Sequence, residues 1–113
     1  MKDKEYISLV KMLNYIEKAF RYTEDCTYES FIENEEKIDA TIFAISQIGE
    51  LVKNIDKKTQ LQYTKIEWNI LKGIRNRIVH DYEGIKVDII WDIVQNDLTP
   101  LKNNIKDLLK EKK

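Results

Sequence analysis

Residues 72–82 read Lys-Gly-Ile-Arg-Asn-Arg-Ile-Val-His-Asp-Tyr, and the residue types most suited to chemistry gather there. His80 is the only histidine of the chain. A histidine titrates near neutral pH, so it can accept a proton and return it. Arginine presents a planar fork that grips phosphate oxygens at two points, and Arg75 supplies one. Asn76 beside it can orient a histidine or a phosphate oxygen. Lys72 and Arg77 add positive charge for phosphate contacts. Together these groups suit cleavage of RNA without a metal. A base would activate the ribose 2′-hydroxyl, and arginine would stabilise the charge that builds on phosphorus. Asp81 and Glu83 alone make a weak case for a catalytic metal, so no metal and no cofactor is expected.

A lone histidine in the last turn of a helix has a plainer use, bonding the free carbonyls there and complementing the dipole. The basic cluster around His80 outweighs that reading. Its geometry poses a problem. On a helix, Arg75, Val79 and Tyr82 fall on nearly one line, and Asn76 and His80 are neighbours one turn apart. Arg75 and His80 are five apart, so an ideal helix separates them by roughly 140°. Either the helix ends near His80, or a second subunit completes the site.

The elements that position these residues follow from the apolar spacing. Tyr6, Leu9, Val10, Leu13, Ile16 and Phe20 recur at three- and four-residue steps and predict an amphipathic helix over 3–24. Residues 25–33 read as a connection with room for one short helical turn. Asn34 caps a second helix, with Glu35 and Glu36 placed against its dipole. Ile38, Ile42, Ile45, Gly49 and Val52 then form a heptad-like seam, a core or dimer face. Glycine inside that seam points to close approach of another helix.

Residues 56–64 are polar and read as a loop. Thr64-Lys65-Ile66-Glu67 matches a capping box and predicts the start of a third helix. That helix carries Trp68, Leu71, Ile74 and Ile78 and should end before Gly84. Val87, Ile90, Trp91 and Val94 mark a fourth. Thr99-Pro100 then interrupts the pattern. Thr99 caps a fifth helix bearing Leu101, Ile105 and Leu108, or one long helix is kinked at Pro100. The tail Lys110–Lys113 should fray. The sum is an all-α, antiparallel up-and-down bundle of four to five helices, one domain over residues 1–113.

Composition sets the bounds. With 19 basic and 20 acidic residues the net charge is −1, so any nucleic-acid site must be a local patch or one assembled by oligomerisation. The single cysteine, Cys26, cannot staple its own chain and reads as an inert thiol. Three glycines and one proline are too few for a sandwich or barrel. No apolar run approaches a membrane span, and Met1–Glu5 lacks the apolar core of a signal peptide. The expected compartment is the cytoplasm.

Arg75-Asn76-Arg77-Ile78-Val79-His80 resembles the Arg-polar-x3-His signature of HEPN domains. Extended to Tyr82, it is similar to the Arg-x4-His-x-Tyr pattern of HepT-like toxins from HepT/MntA toxin–antitoxin systems. Ile48-Gly49-Glu50, Trp68 and Trp91 sit where similar residues are expected in that family, so the resemblance covers most of the chain. It implies a toxin that is a metal-independent endoribonuclease, with Arg75 and His80 as the catalytic pair and Asn76 at the polar position. It implies that Tyr82 accepts AMP from a cognate minimal nucleotidyltransferase, the antitoxin, which silences the toxin. It also implies a homodimer whose two motifs face one cleft. Arg77 is not a family-defining position.

Two other functions compete. One is a non-catalytic HEPN module that binds a substrate or nucleotide for a nucleotidyltransferase. The other is a purely structural dimerising bundle, which leaves the basic cluster unexplained. Trp68 and Trp91 read as core anchors, and Glu50 as a solvated or structural carboxylate, with a place near the groove as the alternative. Without the resemblance, Tyr82 is an ordinary half-exposed tyrosine.

Overall fold

The computed structural model describes residues 1–111; of the tail expected to fray, Lys112 and Lys113 lie outside the described residues. The described residues fold entirely into helices and their connections, as the scarcity of turn residues predicts.

Helix α1 spans Asp3–Thr23 and buries Leu9, Met12, Ile16 and Ala19, with Ser8 and Thr23 on the same stripe. The spacing is helical, yet the stripe lies one position away from the expected one: Tyr6 is exposed, and Leu13 and Phe20 are only half-buried. The small side chains of Ser8 and Ala19 explain the shift, since they let the next long helix approach. Buried Glu5 accepts hydrogen bonds from the Lys2 and Asp56 backbone amides at 3.3 and 2.9 Å. It thereby ties the start of α1 to the connection after the second long helix.

Helix α2 (Tyr28–Ile32) is the short turn expected within 25–33, and Thr27 and Ser30 cap it reciprocally. Helix α3 (Glu35–Leu51) begins at Asn34, whose side chain accepts from the Lys37 amide at 3.1 Å. It is the central helix. Thr41, Ile42, Ala44, Ile45, Ser46, Ile48 and Gly49 are buried around most of its circumference, because α1 covers one side and a later helix the other. Tyr15 meets Phe43 while Glu5 reaches Asp56, so α1 and α3 run antiparallel.

After a 3₁₀ turn over Val52–Asn54, residues expected as loop form helix α4 (Lys57–Gln62). It buries none of its side chains, so no apolar periodicity announced it. The expected capping box at Thr64 is not formed: helix α5 spans Trp68–His80, and Glu67 stands at its N-cap. Residues 63–66 instead turn so that Tyr63 and Ile66 enter the core, and the Trp68 indole N–H donates to the Tyr63 carbonyl at 3.0 Å. Burial of two large side chains outweighs one cap, which contributes about 1 kcal/mol.

The remainder is one long helical run, the second of the two arrangements expected around Pro100. Helix α6 (Val87–Asp92) passes through a π-helical turn at Ile93–Asp97 into helix α7 (Leu98–Glu111). Pro100 has no N–H to give the carbonyl of Asn96, and its ring crowds that carbonyl. The wider turn just before it absorbs the misfit without breaking the helix. Thr99 therefore caps nothing. Trp91 is a partly exposed wall packed on Phe31 and Tyr28 of α2, whereas Trp68 is fully in the core. Among the described residues no helix is long and apolar enough to cross a membrane.

Candidate active site

The site is built where α3 and α5 cross. A Cβ at Gly49 would lie 2.4 Å from the Leu71 carbonyl oxygen and 2.6 Å from the Arg75 Cβ. No larger residue fits without parting the helices. The glycine in the α3 seam is thus the close-approach point that its position predicts, and it brings Arg75 against the last turn of α3. The helices run antiparallel here, since Glu50 meets Arg75 and Asp39 meets Tyr82.

Arg75 is held from two sides. Its Nε pairs with Glu50 Oε2 at 2.6 Å, and its Nη1 donates to Asn76 Oδ1 at 2.8 Å. Lys53 Nζ lies 2.6 Å from the other Glu50 oxygen. Lys53 and Arg75 together hold the Glu50 carboxyl below its usual range. These groups, with Gly49 and Lys72, line a shallow cleft of about 160 Å³. Three cations and one carboxylate border it, so the cleft is positive although the chain is not.

His80 is the last residue of α5, and Asp81 closes the helix by donating its amide to the Arg77 carbonyl at 2.9 Å. The imidazole is exposed and makes no hydrogen bond or ion pair among the described residues. The plain role of bonding helix-end carbonyls is therefore unfilled. The helix ends at His80, but not before it, so the angular separation from Arg75 persists within one chain. Arg77 is not brought to the cleft. It points to the opposite side of α5, along a small crevice with Ile74, Ile78, Ile85 and Ile89.

Tyr82 stands on the turn after α5 and is 44% exposed. Its hydroxyl donates a hydrogen bond to Asp39 Oδ1 of α3. That bond, with partial burial and the charges of Asp39 and Glu35, pushes the phenol up to about 12. Among the described residues no group of three or more His, Cys, Asp or Glu side chains could hold a metal ion.

Sequence reading missed the roles of Glu50, Lys53 and Asp39. A signal was present: eleven residues make about three turns, so Asp39 and Glu50 share one face of α3. Gly49 marks that face as the one α5 meets.

Comparison with known proteins follows the same lines. The profile of the family described as "Ribonuclease HepT-like" matches residues 12–108. A protein of Methanocaldococcus jannaschii named "Putative RNase MJ0127" is 31% identical over 104 residues, spanning 88% of this chain and 86% of its own length. "Probable ribonuclease HepT" of Thermococcus cleftensis is 30% identical over 95 residues, 84% of this chain and 86% of that protein. "Putative RNase TTE0752" of Caldanaerobacter subterraneus is 26% identical over 105 residues, 93% and 94% of the two chains. No solved structure gives a significant match. A matched span that takes in the α3–α5 crossing, Arg75, His80 and Tyr82 leaves one conclusion: this chain belongs to the HepT-like ribonuclease family.

Proposed function

We propose that the protein is a metal-independent endoribonuclease toxin in which Arg75 and His80 act on the RNA backbone. The observation that carries this reading is the positive cleft around an anchored Arg75, with an unengaged imidazole on the same helix. His80 takes the proton of a ribose 2′-hydroxyl, and the freed oxygen attacks the adjacent phosphorus. The P–O5′ bond breaks as the new P–O2′ bond forms, the leaving 5′-oxygen takes the proton that His80 has received, and the other product ends in a 2′,3′-cyclic phosphate. Arg75 holds the phosphoryl oxygens as negative charge grows on them, with Lys72 and Lys53 at the rim. Asn76 keeps the guanidinium in plane. The names of the relatives, which carry the term RNase or ribonuclease, support the same reaction class.

Two copies complete the site in this reading. A homodimer facing its motifs into one groove would set His80 of one copy against Arg75 of the other, which removes the 140° problem. Tyr82, exposed beside His80, is the acceptor of AMP from a minimal nucleotidyltransferase antitoxin. Its phenol donates a hydrogen bond to Asp39, which leaves the oxygen lone pairs free.

The test uses an RNA oligonucleotide and its 2′-deoxy counterpart. Wild type should cut only the ribose form; His80→Ala should cut neither, and Arg75→Ala should leave only a slow residual cleavage of the ribose form. Cleavage of the deoxy form would exclude attack by the 2′-oxygen. For Tyr82, intact mass should rise by one or more AMP units on wild type after treatment with the partner and ATP, and stay constant on Tyr82→Phe. One observation favours a second reading, a nucleotide-binding module without cleavage: His80 is not among the residues lining the cleft.

A further inference from the structure

We propose that Glu50 is the positioning residue for Arg75 in the cleavage step, and that its carboxylate sets which guanidinium donors face the phosphate. The proposal rests on the ribonuclease reading above. An arginine side chain has four rotatable bonds and is mobile unless something holds its head group. Here Glu50 Oε2 engages Nε at 2.6 Å, and Asn76 engages Nη1 at 2.8 Å. Nη2 makes no hydrogen bond among the described residues. Two of the three nitrogens are thus anchored, and the third, with both its hydrogens, is left to a ligand.

Glu50 is itself held. Lys53 takes its other oxygen at 2.6 Å, so the carboxylate bridges two cations and cannot turn without losing one. Glu50 stands in the last turn of α3 and Lys53 in the 3₁₀ turn that follows, beside the point where Gly49 brings the α5 backbone in. The close approach, the carboxylate and the arginine are therefore a single unit. Held in this way, the arginine needs no reorganisation as charge develops on phosphorus, which is where a fixed donor lowers a barrier.

The experiment measures cleavage of a fluorogenic RNA oligonucleotide by the full chain carrying Glu50→Gln, Glu50→Ala or Arg75→Ala, singly and combined. Glu50→Ala should lower kcat by roughly 10²-fold, the cost of misplacing a reacting group, with KM changed little. Glu50→Gln keeps the shape and an accepting oxygen, so its loss should be smaller, on the order of tenfold. In the Arg75→Ala background, Glu50→Ala should add nothing, because the residue through which it acts is gone. Wild-type kcat in Glu50→Ala, or an equal loss with and without Arg75, overturns the proposal. Should wild type not cleave RNA at all, the ribonuclease reading falls first. The ¹⁵N spectrum of the arginine Nε–H groups then decides the positioning. The Arg75 Nε–H should be protected from solvent exchange in wild type and lose protection in Glu50→Ala; equal exchange in both overturns it.

Discussion

A tyrosine hydroxyl ordinarily ionises near 10. At Tyr82 it donates to Asp39, and that bond, with partial burial and nearby negative charge, moves ionisation up to about 12. The raised value has a stability consequence. The folded protein binds this proton more tightly than the unfolded chain, so the contribution is complete below pH ~10 and lost as pH rises through about 12. The ultraviolet phenolate titration of wild type minus that of Tyr82→Phe should show a step near 12, and Asp39→Asn should move it back toward ~10. A wild-type step already at ~10 would mean that the Asp39 contact does not exist in solution.

At the scale of elements, two glycines should respond in opposite directions to the same change. Gly49→Ala puts a methyl group where the Leu71 carbonyl oxygen and Arg75 Cβ already stand. It should destabilise by about 1–3 kcal/mol and reduce cleavage by moving Arg75. Gly73 is exposed on α5, and a methyl group added there would meet nothing within 4 Å. Gly73→Ala should stabilise by about 0.5–1 kcal/mol through helix propensity alone. Urea unfolding midpoints measure both, and equal effects would contradict the helix crossing described above. The long helices, the Asn34 cap and the Gly49 contact could all be read from residue spacing, because each follows from apolar period or from one residue's own limits. Helix α4 could not, since it buries nothing, and the Thr64 capping box misled because Tyr63 and Ile66 gain more from burial. Arg75, Asn76, His80 and Tyr82 stood out as a motif. Their anchors Glu50 and Asp39 did not, for those pairings join residues far apart in the chain and depend on which faces of α3 and α5 meet.

For the molecule as a whole, the proposed chemistry needs a second copy. Val79 lies one turn after Arg75 on α5, ahead of Tyr82 on the turn that follows, and is 56% exposed. A shared groove would cover it. Sedimentation should give twice 13.5 kDa for wild type, and Val79→Asp should give the single mass together with loss of cleavage. A monomeric wild type that still cut RNA would remove the need for a partner's His80. The central claim, that His80 and Arg75 form a ribonuclease site, has a more direct test. Purified wild type and His80→Ala are incubated side by side with total RNA in excess EDTA, after mass spectrometry has shown Tyr82 unmodified. RNA should be cleaved by wild type and not by His80→Ala; intact RNA with both proteins, or equal cleavage by both, would rule out this site.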